Sequence, residues 1–174
     1  MQDIALIAVE ISTAVFMVMC LTTDLRERMI YVFPCYLLIP IWMMFGVASS
    51  EKAVMIGVIL VLHIVAYLVF RIAGVWGDGD SDIFLLYGVV FMSFMTQIKP
   101  EYGIGLYLIA ELLGMIAALM LSFLIGVVEA KVKKEKLTKH SSIAVVPGFS
   151  IVIIALVIGM SSKSAPPCFA KIQL

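Results

Sequence analysis

Charge is scarce in this chain. Only 14% of its 174 residues are Asp, Glu, Lys or Arg, whereas 63% are hydrophobic, and the mean hydropathy is +1.15. A soluble domain is nearer half apolar, and so few polar residues cannot cover a soluble surface. The composition reads as a polytopic membrane protein. An excess of one sign is also missing. Twelve basic and twelve acidic residues cancel, so no global field points to nucleic acid. Cysteine is sparse: Cys20, Cys35 and Cys168 form no CxxC pair. That argues against a zinc site or a disulfide framework, and no cofactor is expected. Cys20 and Cys35 lie in or beside apolar runs, where a thiol behaves as a small hydrophobe. No basic region precedes the first apolar run; Asp3 and Glu10 stand there instead. The run is therefore expected to stay in the mature protein rather than serve as a cleaved signal. There is no internal repeat, and no loop is long enough for a soluble domain.

What is present is a series of six apolar runs, at about 4–22, 29–49, 53–74, 82–98, 103–128 and 143–161. A helical span needs roughly twenty residues. These lengths, with little alternation, favour helices over barrel strands. The expected fold is all-α with six transmembrane helices, a membrane domain over 1–162 and a polar tail over 163–174. Most connections are short. The exception, "KVKKEKLTKH" at 131–140, carries five lysines. With six spans, the loops after spans one, three and five hold eight Lys and Arg, including Arg26, Arg28 and Arg71, against four on the other side. Those loops are expected to be cytoplasmic, with both termini outside.

Acids concentrate at two of these loops. In "GDGDSD", Gly77 and Gly79 alternate with Asp78, Asp80 and Asp82 ahead of span four. A helix cap accounts for one aspartate, and a solvated loop is the other plain reading. The D-x-D-x-D start of a calcium loop is present, but Ile83 and Val89 occupy the positions that need Gly and Glu. No metal site is expected. In "TTDLRERMIYVFP", Asp24 closes span one and precedes Arg26 and Arg28. A juxtamembrane salt-bridged turn is the plain reading there. Taken together, Asp24 and Asp80 fall at the same membrane edge on adjacent hairpins. Two carboxylates held within a few ångström share a proton. One can then take a proton from water while the other protonates a carbonyl oxygen, which is aspartic-protease chemistry and uses no metal.

Gly77-Asp78-Gly79-Asp80 resembles the G-x-G-D motif of membrane aspartic proteases. Asp24-Leu25-Arg26-Glu27-Arg28-Met29-Ile30 resembles the D-x-x-x-R-x-I segment of type IV prepilin peptidases and archaeal preflagellin peptidases. The order and separation of the two motifs, and the late "VVPGFSIVIIALVIG" at 145–159, are similar to that family. The resemblance covers nearly the whole chain as a six-span core. It implies Asp24 and Asp80 as the catalytic pair, on the cytosolic side of a bacterial membrane. It also implies removal of a short basic leader from a pilin-like precursor, after glycine and before the apolar helix. The chain resembles the short members found with tight-adherence pili, so N-methylation is not expected. Two positions depart from the family pattern. Tyr31 and Val32 stand where many members have Pro and Asn, and Asp82 stands where many have Lys.

The remaining acids carry smaller roles. Asp78 and Asp82 are either a solvated rim or a negative field that attracts a basic leader; Arg26 and Arg28 hold the loop or pair with these acids. Glu10 and Glu111 lie inside apolar runs, where an acid is costly, and are either hydrogen-bonded or functional. His63 and the twelve methionines read as packing residues. The rival readings are a broader membrane aspartic protease, a small cation transporter or channel using the acidic loop, and an inactive scaffold of a secretion assembly.

Overall fold

The computed structural model describes residues 2–27, 29–48, 53–74, 77–98, 103–134 and 145–164. Six helices form, with no strand among the described residues: α1 Gln2–Glu27, α2 Phe33–Ala48, α3 Ala53–Ile72, α4 Asp78–Ile98, α5 Ile104–Lys133 and α6 Val146–Ser164. The all-α expectation holds. Three helices contain segments long and apolar enough to cross a membrane: Ile4–Glu27, Val54–Ile72 and Ile104–Lys133. α2 and α6 supply shorter apolar stretches.

Helix boundaries differ from the apolar runs in instructive places. The second run was expected to be continuous from 29, but α2 starts at Phe33 and residues 29–32 are not helical. The reason is Pro34. A helix running through 29–33 would put that ring in its interior, where it clashes with the carbonyl four residues back and lacks an N–H. At the second helical position it costs little. α4 starts four residues ahead of the expected span, at Asp78. α5 runs on to Lys133 and closes on Lys134 in the left-handed region (φ 55°). α6 extends to Ser164, past the expected start of the tail. Residues 135–144 and 165–174, with most of the basic loop and the tail, lie outside the described residues.

α4 is the hub. It packs on α2, α3 and α6, while α6 also packs on α1 and α5. From Ser81 to Ser93 nearly every α4 side chain is buried, on all faces. A helix apolar all round belongs in the centre of a bundle. Tyr87 and Phe91 of α4 meet Phe149 of α6 and Tyr107 of α5 edge-on. Several of the polar groups inside are paired. The Trp42 indole donates to Thr13 Oγ1 at 2.9 Å, and Ser93 Oγ donates to the Trp42 carbonyl at 2.9 Å. Ser122 of α5 accepts from the Gly148 N–H at 2.9 Å and so caps the start of α6. A side chain at Gly148 would run into the Ala118 carbonyl, so this helix pair meets at backbone distance. The outside is the reverse of a soluble protein. Ile4, Ile11, Val54, Val61, Leu113 and Met120 are among many large apolar side chains left exposed, most of them on α3 and α5.

Candidate functional site

One end of the bundle collects the end of α1, the start of α2, the end of α3 and the start of α4. A cavity of about 440 Å³ opens there, lined by Asp24, Ile30, Val32, Tyr36, Arg71, Gly77, Asp78, Gly79, Asp80 and Asp82. Asp24 and Asp80, fifty-six positions apart in sequence (80 − 24), therefore line one cavity. Asp24 is buried, at 6% exposure.

The glycine–aspartate stretch is helical, not a loop. Gly77 is the residue before α4, so Asp80 sits three positions into it. The Asp80 carboxylate accepts the Gly77 backbone N–H, the reach-back half of a capping box. Ser81 N–H and Ser81 Oγ both bond the Gly77 carbonyl, at 3.0 and 3.1 Å. One cap is thus accounted for, by Asp80 rather than by Asp78 or Asp82. Asp80 stands ahead of the apolar stretch 82–98. Burial pushes its carboxyl above the usual carboxylate range, and the Gly77 bond opposes this only in part.

Gly79 has a separate task. A Cβ there would lie 3.1 Å from Ile30 Cδ1 and 3.6 Å from Val32 Cγ1. The absent side chain lets the non-helical 29–32 segment lie against the first turn of α4. Ile30 and Val32 form an apolar wall beside the acids.

Asp82 departs from the expectation of a solvated rim or cap. It is 2% exposed. Tyr67 Oη donates to its Oδ1 at 3.0 Å and Tyr36 Oη to its Oδ2 at 3.3 Å. Arg71 Nη1 lies 3.7 Å from Oδ1 and also donates to Tyr67 Oη. Arg71 Nε lies 3.3 Å from Asp78 Oδ1. Asp78 is the exposed member, its side chain 77% open. Buried charge is tolerated only with this density of donors. Sequence reasoning missed Tyr36, Tyr67 and Arg71. The available signal was Tyr67 and Arg71 four apart at the end of a helix, hence on one face. Arg26 is exposed at the end of α1 and is not among the described lining residues. Arg28 lies outside the described residues.

The acids within the apolar helices are elsewhere. Ser161 Oγ of α6 donates to Glu10. His63 of α3 faces Glu111 of α5 through Nε2, while its Nδ1 lies 2.8 Å from the Ile59 carbonyl. A carbonyl only accepts, so Nδ1 carries a hydrogen. Tyr87 Oη donates to the Glu111 backbone carbonyl at 2.9 Å. Among the described residues no group of three or more His, Cys, Asp or Glu is arranged to hold a metal ion. Cys20 and Cys35 are buried free thiols in the core.

The chain matches no protein-family model, no curated protein and no solved structure.

Proposed function

We propose that this chain is a six-span membrane aspartic endopeptidase that removes a basic leader from a pilin-like precursor at the cytoplasmic face of a bacterial membrane. The membrane reading is supported by the apolar exterior of α1, α3 and α5. The lysine-bearing end of α5 and the acid cavity both lie at connections that share the excess of Lys and Arg, which favours a cytoplasmic location. The catalytic reading rests on one observation above others: Asp24 and Asp80 line the same cavity at the edge of the bundle.

In this reading the two carboxyls hold one proton between them. The ionised one takes a proton from water, and the water oxygen bonds to the scissile carbonyl carbon. The protonated one gives its proton to the carbonyl oxygen. The tetrahedral intermediate then collapses: the C–N bond breaks, the departing nitrogen receives the proton first taken from water, and one hydroxyl of the intermediate returns its proton to the other carboxylate as the C=O bond re-forms, so the pair again holds one proton. No covalent enzyme intermediate and no metal take part. The cavity's acid excess suits a lysine-rich leader, and the Ile30–Val32 wall suits the apolar residues after the cleaved bond.

The test is co-expression with two precursors, one bearing a lysine-rich leader, a glycine and an apolar helix, the other an ordinary secretory signal. Trimming of the first alone is expected. Trimming of both would replace the substrate assignment with a broader membrane protease. Trimming of neither, with monovalent cation flux in vesicles, would replace the protease with a transporter.

A further inference from the structure

Among the described residues that line the cavity, Arg71 is the only base, against four aspartates. It comes from α3, which supplies no acid to the cavity, and it reaches both acids that flank Asp80: Asp78 at 3.3 Å and Asp82 at 3.7 Å. Tyr67 relays between them, accepting from Arg71 and donating to Asp82. Groups facing this end from each packed element are Cys20 and Asp24 of α1, Cys35 and Tyr36 of α2, Tyr67 and Arg71 of α3, and Asp78, Asp80 and Asp82 of α4. α6 also packs on α4 but contributes no described residue to the lining.

We infer that Arg71 is a positioning residue that fixes the charge of the cavity: it pairs with Asp78 and Asp82, and so leaves Asp24 and Asp80 as the acids that share the working proton. This rests on the protease reading and extends it to a residue outside both acidic motifs. Four ionised carboxylates around one cavity repel each other, and the cheapest relief is to protonate whichever is most buried. Asp82 would then compete with the Asp24–Asp80 pair for the proton. Two tyrosine hydroxyls donate to Asp82 and the guanidinium stands beside it, so its oxygens are held by these donors rather than by the working proton. Asp78, Asp82 and Arg71 together carry one negative charge beside the pair.

The sign of each change follows. Arg71→Gln raises the negative charge beside the pair, so the shared proton is held to higher pH. Asp82→Asn removes a negative charge, so the proton leaves at lower pH. Asp78→Asn acts in the same direction as Asp82→Asn, more weakly, because water screens an exposed group. The experiment is the pH dependence of cleavage by full-length protein in proteoliposomes, on a synthetic precursor with a lysine-rich leader, a glycine and an apolar helix. The alkaline limb is expected to move up by roughly half a pH unit in Arg71→Gln and down by about as much in Asp82→Asn. Arg71→Lys should stay near the wild type. A limb that stays fixed while rates fall at every pH, or moves the same way in both variants, overturns the inference and leaves Arg71 a structural clamp. If Arg71→Gln does not fold, the Asp82→Asn and Asp78→Asn limbs decide by their sign. Asp24→Asn and Asp80→Asn run alongside: full cleavage by either would defeat the protease reading itself, whereas dead controls with unmoved limbs defeat only the role of Arg71.

Discussion

Two of the places where this bundle buries carboxyl groups hold them differently. In the interior, Glu111 has a single dedicated partner, His63, and the pair ties α3 to α5 among apolar side chains. At the end of the bundle, four aspartates share one cavity with one arginine and two tyrosines nearby. The interior pair is matched one to one. The end cavity is mismatched: Asp82 is saturated with donors, while Asp80 keeps one backbone bond and is pushed toward its neutral form by burial. Under the protease reading, the mismatched cavity is the one whose protonation state serves the chemistry.

Substitutions should separate the two regions. The largest effect is expected at the cavity. Asp24→Asn or Asp80→Asn should each lower the rate of leader cleavage by about a thousandfold or more, with little loss of folded protein. Asn at position 80 can still accept the Gly77 N–H, so the helix start survives. Next comes the interior. Glu111→Ala leaves His63 buried without its partner, and should cost about 3 kcal/mol of stability, read as a lower unfolding midpoint in detergent. Cleavage per folded molecule should stay within about twofold of wild type if the region is purely structural. A thousandfold loss there would erase the distinction between the regions.

Gly79→Val comes third. Its branched side chain would push the Ile30–Val32 wall off α4, and cleavage should fall by about tenfold with the unfolding midpoint little changed. The smallest effect is on stability against pH. Asp80 has a folded-state value above its unfolded one. Its contribution is therefore complete below the ordinary carboxylate range, about pH 4, and lost as pH rises through the raised folded value. The unfolding midpoint of the wild type should fall more steeply with pH over that window than that of Asp80→Asn.

Much of this was legible in the chain. Composition and run length pointed to six helices, and the positions of Asp24 after the first run and Asp80 before the fourth put them at the same edge. What escaped has a common cause. Tyr36, Tyr67, His63 and Glu111 sit inside apolar runs, where a polar atom's partner is many positions away: Tyr36 and Asp82 are 46 apart, His63 and Glu111 48 apart. Periodicity shows which face of a helix a residue occupies, but pairing depends on how helices are set side by side. Arg71 was read only as part of the charge bias between membrane sides, although its side chain turns into the bundle end. The start of α2 was misjudged because "MIYV" is as apolar as a helix, and Pro34 decided the boundary on steric grounds.

The double substitution tests most directly whether Asp24 and Asp80 form one catalytic unit. Cleavage of the lysine-leader precursor would be measured with equal amounts of folded wild type, Asp24→Asn, Asp80→Asn and the combined variant. Two groups that share one proton fail together, so the combined variant should be no slower than either single one. Appreciable cleavage by either single variant, or losses that multiply in the combined one, would contradict a shared dyad.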